Sequence, residues 1–234
     1  NVYEPGSIFK VIAASAALEE GIADLEDVFY CEKGEYRVGG RILHDFHPYG
    51  ELSLMDVIAR SSNIGTVKVA QKLGEEKLYE YIEKFGFGRP TGIDLSGEVA
   101  GISRHPSVWS RSDITTIPIG QGIAVTAVQM VKAVSVIANG GYAVTPDVVD
   151  RMTTWEGGVY KEFTPPPAVR VLSEDTCRKM RKVLRKVVTE GTGRRVNSKV
   201  YELCGKTGTA QMVNPAGGYF ENKYHASFMG FAPM

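Results

Sequence analysis

Three short stretches of this chain hold residue types suited to acyl chemistry. They are Ser7 and Lys10 in EPGSIFK, Ser61-Ser62-Asn63 in RSSNIG, and Lys206-Thr207-Gly208-Thr209 in GKTGTA. On a helix, residues three apart share a face, so a Lys10 amine reaches a Ser7 hydroxyl. Lysine is protonated at neutral pH and becomes a base only where burial or nearby cations lower its pKa. A serine at a helix start is exposed, and free backbone N–H groups there attract incoming negative charge. An S-x-x-K pattern arises by chance roughly once in a chain of this length. Taken alone, the pair reads first as a helix start with a solvated lysine.

The other two stretches are equally open when read singly. Ser61, Ser62 and Asn63 lie between two helical patterns. They either cap the helix that starts near Ile64 or point a hydroxyl and an amide into a cleft, to relay a proton and hold a substrate amide. Lys206–Thr209 stands in strand-like text. It reads as an edge strand with a glycine bulge, or as a strand against which a ligand backbone lies. In the second reading Gly208 removes the blocking side chain, while Lys206 and the threonine hydroxyls face a carboxylate. A four-residue match to K-T-G-T is expected by chance in about one chain in several hundred. The three stretches in this order are far more specific than any one of them.

Composition narrows what such a site could serve. The 234 residues suffice for a large buried core. A formal net charge of zero leaves no footprint for nucleic acid. No run of about 18 apolar residues occurs, so no membrane span is expected, and the start lacks a secretory-signal pattern. Cys31, Cys177 and Cys204 form no C-x-x-C or Cys/His cluster and read as plain thiols. His44 and His47 have a spacing that suits a metal, but Asp45-Phe46 and Pro48-Tyr49 around them read as loop. No metal and no cofactor is expected.

The elements that must position the three stretches follow from pattern. SIFKVIAASAALEE (7–20) predicts a helix stopped by Gly21. Residues 29–50 read as loop and short strands. SLMDVIARSSN predicts a helix with Ser53 and Asp56 in capping-box positions. IGTVKVAQKLG and EEKLYEYIEKFG give two more, the latter with Leu78, Tyr81, Ile82 and Phe85 on one face. A Gly- and Pro-rich irregular stretch follows, then a helix over 124–141 and strand-like text over 142–171. SEDTCRKMRKVLRKVVTEGTG predicts a helix capped by Ser173, burying Met180, Val183, Leu184 and Val187. The tail reads as a hairpin about NPAGG. Helices dominate the middle and strands the end. This segregation predicts an α+β fold, an antiparallel sheet flanked by helices with a mainly helical lobe over roughly residues 20–135.

S-x-x-K followed by K-T-G is a signature of penicillin-binding proteins and class A β-lactamases. With YEPGSIFK, SSNIGTVKVAQKLG, FGFGRPTGIDLSGEVAG, GQGIAVTAVQM, GKTGTAQ and YHASFMGFAP, the whole chain resembles the transpeptidase domain of a class B, monofunctional penicillin-binding protein of the division and sporulation type. The resemblance implies a serine β-lactamase/DD-transpeptidase-like fold and a peptidoglycan stem peptide ending in D-Ala-D-Ala as substrate. It makes Ser7 the nucleophile, Lys10 its base, Ser61 and Lys206 the proton route to the leaving amine, and Asn63 the holder of Lys10 and of the substrate amide. Ser62, Thr207, Gly208 and Thr209 become substrate-binding residues, and the Ser7 and Thr209 N–H groups the oxyanion hole. It implies β-lactams as inhibitors, a membrane glycosyltransferase and division proteins as partners, and a bacterial cell-membrane location facing outward. It also implies that the first strands of the sheet and a final helix and strand lie outside this chain, leaving open strand edges. No E-x-x-L-N-like element follows the second stretch, and Glu98 stands in a different pattern. That disfavours a β-lactamase, which needs a deacylating base, a positioned glutamate in class A enzymes. A β-lactam sensor would carry the same three stretches and differ by a signalling module outside them.

Overall fold

A computed structural model of the chain describes residues 1–214 and 217–234. Gly6 decides how the chain enters its first helix. It sits at φ +57°, which costs a residue with a side chain on the order of 1 kcal/mol, and its N–H donates to the Gly120 carbonyl at 3.0 Å. Gly6–Phe9 then makes one 3₁₀ turn before α1 (Lys10–Glu19). The expected helix over 7–20 is therefore split, with Ser7 on the 3₁₀ turn and Lys10 opening the α-helix. Every residue from Lys10 to Leu18 is buried, as expected of a helix enclosed on all sides. Gly21, at φ +63°, follows its end.

Residues 28–53 form two antiparallel pairs: β1 (Val28–Tyr30) with β4 (Glu51–Ser53), and β2 (Glu35–Val38) with β3 (Arg41–His44). Ser53 caps α2 (Leu54–Ala59) by accepting from the Asp56 N–H at 3.1 Å. Next come α3 (Asn63–Leu73) and α4 (Glu75–Lys84), which buries Leu78, Tyr81 and Ile82 as the period requires. A reciprocal box of Thr126 and Gln129 opens α5 (Ala127–Ala138). The helix starts later than the sequence suggests because Ala124 and Val125 are taken up in bridges to Ile102 and Tyr3. Short strands β5 (Tyr142–Ala143), β6 (Arg151–Thr153), β7 (Val159–Glu162) and β8 (Val169–Arg170) follow.

The Ser173 cap and the apolar face of α6 (Glu174–Thr189) form as read from sequence. Met180, Val183, Leu184 and Val187 are each at most 1% exposed, and each contributes roughly 1.5–3 kcal/mol by leaving water. The tail hairpin pairs β9 (Cys204–Val213) with β10 (Tyr219–Phe231), placing Lys206 opposite Met229 and Gly208 opposite Ser227. Two residues of its NPAGG turn, 215 and 216, lie outside the described residues. Among the described residues the strands make five separate two-stranded antiparallel sheets. One apolar cluster reaches from Ile8 to Met229 and joins α1, the helices α2–α6 and the last hairpin. Strand β9 lies against the Ser7 turn and α6, which brings the first and last motifs together.

Candidate active site

Ser7 stands half-buried on the 3₁₀ turn, where residues three apart eclipse one another. Lys10, three residues on, is completely buried, and so is Lys206 of β9. Both amines converge on Ser61. Lys10 Nζ donates to the Ser61 carbonyl at 2.6 Å and to its hydroxyl at 3.1 Å. Lys206 Nζ donates to the same hydroxyl at 2.9 Å and to the Thr207 carbonyl at 3.0 Å. Among the described residues, the Ser7 hydroxyl makes no hydrogen bond.

Two ammonium groups on one buried hydroxyl is a costly arrangement, and loss of a proton relieves it. Burial pushes the Lys206 amine down to about 7. Burial first, then the Lys206 charge, holds Lys10 well below the usual lysine range, with Asp45 pulling the other way. A neutral amine has two N–H donors and one lone pair. Both Lys10 donors are occupied by Ser61, which leaves the lone pair of a neutral amine unengaged. Ser61 is presented in a left-handed backbone conformation, φ +62°, which costs a non-glycine residue roughly 1–3 kcal/mol and persists only where the surroundings impose it. The Lys10 bond to its carbonyl does part of that.

The neighbours of Ser61 follow the capping reading and depart from the contacts that the resemblance implies for them. Ser62 is 1% exposed and caps α3: its hydroxyl accepts from the Gly65 N–H at 2.9 Å and donates to Asp45 at 2.6 Å. It faces the interior rather than a substrate. The Asn63 amide lines the cleft but donates to the His44 carbonyl at 2.8 Å and makes no bond to Lys10. Ser61, not Asn63, holds Lys10. The residue that fixes this turn is Asp45, whose carboxylate accepts from Ser62 Oγ and from the N–H groups of Asn63 and Ile64. Removing it leaves those donors unpaired. We therefore expect Asp45→Ala to cost about 1–3 kcal/mol and to slow acylation of Ser7. A denaturation midpoint equal to that of the parent would remove Asp45 as the clamp.

Strand β9 forms the facing wall. Thr209 is exposed, and the Thr207 hydroxyl pairs with that of Thr192 at 2.5 Å. Gly208 is small for a reason the sequence reading did not give. A Cβ there would come within 2.6 Å of Ser227 Oγ, 2.9 Å of an Ile8 methyl and 3.2 Å of the Pro5 carbonyl. The glycine lets β9 lie directly on the turn that carries Ser7. Between the walls runs a cleft of about 880 Å³, lined by Ser7, Ser61, Asn63, Thr207, Gly208 and Thr209.

The same cleft is lined by residues not singled out from sequence: Phe46, Tyr49, Arg60, Glu190, Gly191, Thr192, Arg194, Ala226 and Ser227, with His47. Thr192 belongs to a GTG turn that reads as a helix stop, and Asp45 to a loop without periodicity. No group of three or more His, Cys, Asp or Glu side chains suited to a metal occurs among the described residues. Glu98 is spent within its own loop, accepting from the Thr91 hydroxyl and the Thr91 and Gly92 N–H groups.

Comparison with known proteins gives a consistent answer. The profile of the penicillin binding protein transpeptidase domain matches residues 1–234. Stage V sporulation protein D of Bacillus subtilis is 42% identical over 240 residues, covering 100% of this chain and 36% of that protein. Penicillin-binding protein PbpB of Mycobacterium tuberculosis is 37% identical, covering 98% and 35%. The chain thus spans little more than a third of the length of these relatives. Penicillin binding protein 3 of the same mycobacterium, complexed with ampicillin, superposes with a TM-score of 0.94 at 36% identity, covering 100% of this chain and 53% of that one.

Proposed function

The chain belongs to the penicillin-binding protein transpeptidase family, and from that premise we propose that it is the catalytic part of a serine D,D-transpeptidase that cross-links peptidoglycan stem peptides. The observation that carries this reading is the convergence of Lys10 and Lys206, both fully buried, on the Ser61 hydroxyl beside Ser7. A relative with the same domain, penicillin binding protein 3 of M. tuberculosis, has been solved with ampicillin and with aztreonam. That supports β-lactams as mimics of the D-Ala-D-Ala end.

In this reading the Lys10 lone pair takes the Ser7 proton as Oγ attacks the penultimate carbonyl. The N–H groups of Ser7 and Thr209 hold the developing oxyanion, at roughly 3 kcal/mol per donor. Ser61, between the two amines, passes a proton to the departing D-alanine nitrogen, and Lys206 supplies the field. Thr207 and Thr209 hydroxyls take the terminal carboxylate. The family premise also supports an outward-facing place at the bacterial cell membrane, beside a membrane glycosyltransferase and division proteins. Among the described residues no helix is long and apolar enough to cross a membrane.

Fluorescent penicillin tests the assignment. The protein should carry a stable adduct whose mass maps to Ser7, and Ser7→Ala should carry none. An adduct on another residue would overturn the nucleophile. One lost within seconds would indicate a hydrolase instead.

A further inference from the structure

An acyl-transfer site must hold two substrates in turn, and the β9 wall accounts for only the first. The opposite wall holds a feature that acylation does not use. Phe46 is 93% exposed, yet it lines the cleft. Its ring stands edge-on to His47, with centroids 4.9 Å apart, and His47 stands edge-on to Tyr49 at 5.8 Å. These rings are not loosely tethered. The His44 carbonyl accepts from the Asn63 amide, and Asp45 accepts from the Ser62 hydroxyl and from the Asn63 and Ile64 N–H groups. The aromatic step is thereby fixed to the turn that carries Ser61, across the cleft from Thr207–Thr209. Arg60, directly before Ser61, lines the same wall; its guanidinium meets Asp56 only at 3.8 Å and keeps donors for another partner.

Leaving a phenylalanine in water at the mouth of a reactive cleft forfeits apolar burial unless a ligand covers it. Aromatic faces suit the alkyl chain of an amine and its ammonium head before deprotonation. An arginine with donors to spare suits a carboxylate. We propose that Phe46, His47 and Tyr49, with Arg60 beside them, form the surface on which the acyl acceptor docks, a carboxylate-bearing peptide with a primary amine. This deepens the transpeptidase reading and rests on it. The docked amine nitrogen attacks the acyl carbon of the Ser7 ester. The new C–N bond forms, the C–Oγ bond breaks, and the proton shed by the amine passes through Lys10 to Ser7 Oγ. The same surface excludes the competing water.

The test is how the acyl-enzyme partitions. The protein is acylated with a D-alanyl thioester, and a tripeptide with a lysine side-chain amine is titrated in. The ratio of cross-linked to hydrolysed product is then measured for the parent, Phe46→Ala and Arg60→Ala. Losing one ring of docking surface should lower the ratio about tenfold in Phe46→Ala. Arg60→Ala should lower it for the carboxylate form of the tripeptide and not for its amide. A ratio in Phe46→Ala equal to that of the parent overturns the proposal. So does a fall confined to acylation, which would assign the rings to the donor. If the parent forms no acyl-enzyme at all, the transpeptidase reading fails instead, and the two failures are told apart by the same assay.

Discussion

Lys10→Met should slow acylation of Ser7 by penicillin about a thousandfold, the middle of the range that a positioned general base supplies. Methionine fills nearly the same buried volume, so the core around α1 should survive. What disappears is the lone pair and the two bonds to Ser61. Those bonds offer a competing explanation, in which Lys10 acts only by holding Ser61 in place. Lys10→Arg separates the two, because a guanidinium keeps donors for Ser61 but cannot be deprotonated in a protein. If Lys10 is the base, both variants are slow. If it only positions Ser61, arginine rescues the rate. The parent should also acylate faster as pH rises, through a midpoint well under the usual lysine range, since burial and the Lys206 charge both disfavour the protonated amine. A flat profile, or methionine acylating at the parent rate, would sink the base assignment.

The parts of this site that were legible in sequence are those where a local pattern and a chemical need coincide. Strand alternation around GKTGTA set β9 and its hairpin. The apolar period of SIFKVIAA set α1, although the lysine within it read first as solvated and is in fact buried. What pattern could not decide was direction. Ser62 and Ser61 are the same residue type side by side, and only tertiary contact makes one a helix cap and the other the meeting point of two amines. The left-handed backbone of Ser61 is imposed by the surroundings, against its own preference, so no propensity foretells it. Asp45 is illegible for a different reason. It lies in an irregular loop far upstream and acts on backbone N–H groups that any sequence possesses. The split of the first helix belongs here too: Gly6 must bond Gly120, a partner more than a hundred residues away.

Lys206→Met should produce a protein that is slower and, at neutral pH, more stable. The amine is fully buried and titrates at about 7 when folded, because burial disfavours its charge; in the unfolded chain it titrates near 10.4. Between those values the unfolded state holds a proton that the folded state lacks, so lowering the pH favours unfolding. The parent loses this stability as pH falls from the ordinary lysine value toward 7, and the full penalty remains below that. Its size is on the order of a few kcal/mol, offset in part by the two bonds that methionine cannot make. The buried thiols oppose the trend: burial pushes Cys177 and Cys204 up to about 11, so their ionisation destabilises the fold at high pH. Comparing parent and variant at each pH cancels that contribution. Urea midpoints should show the parent gaining on Lys206→Met between neutral and alkaline pH. The catalytic consequence runs through Lys10. Without its cationic neighbour its amine should hold its proton to higher pH, so the midpoint of the acylation profile should move up, with the rate at neutral pH about a hundredfold lower. A reduced rate with an unmoved midpoint would show that Lys206 acts on the substrate and not on the base.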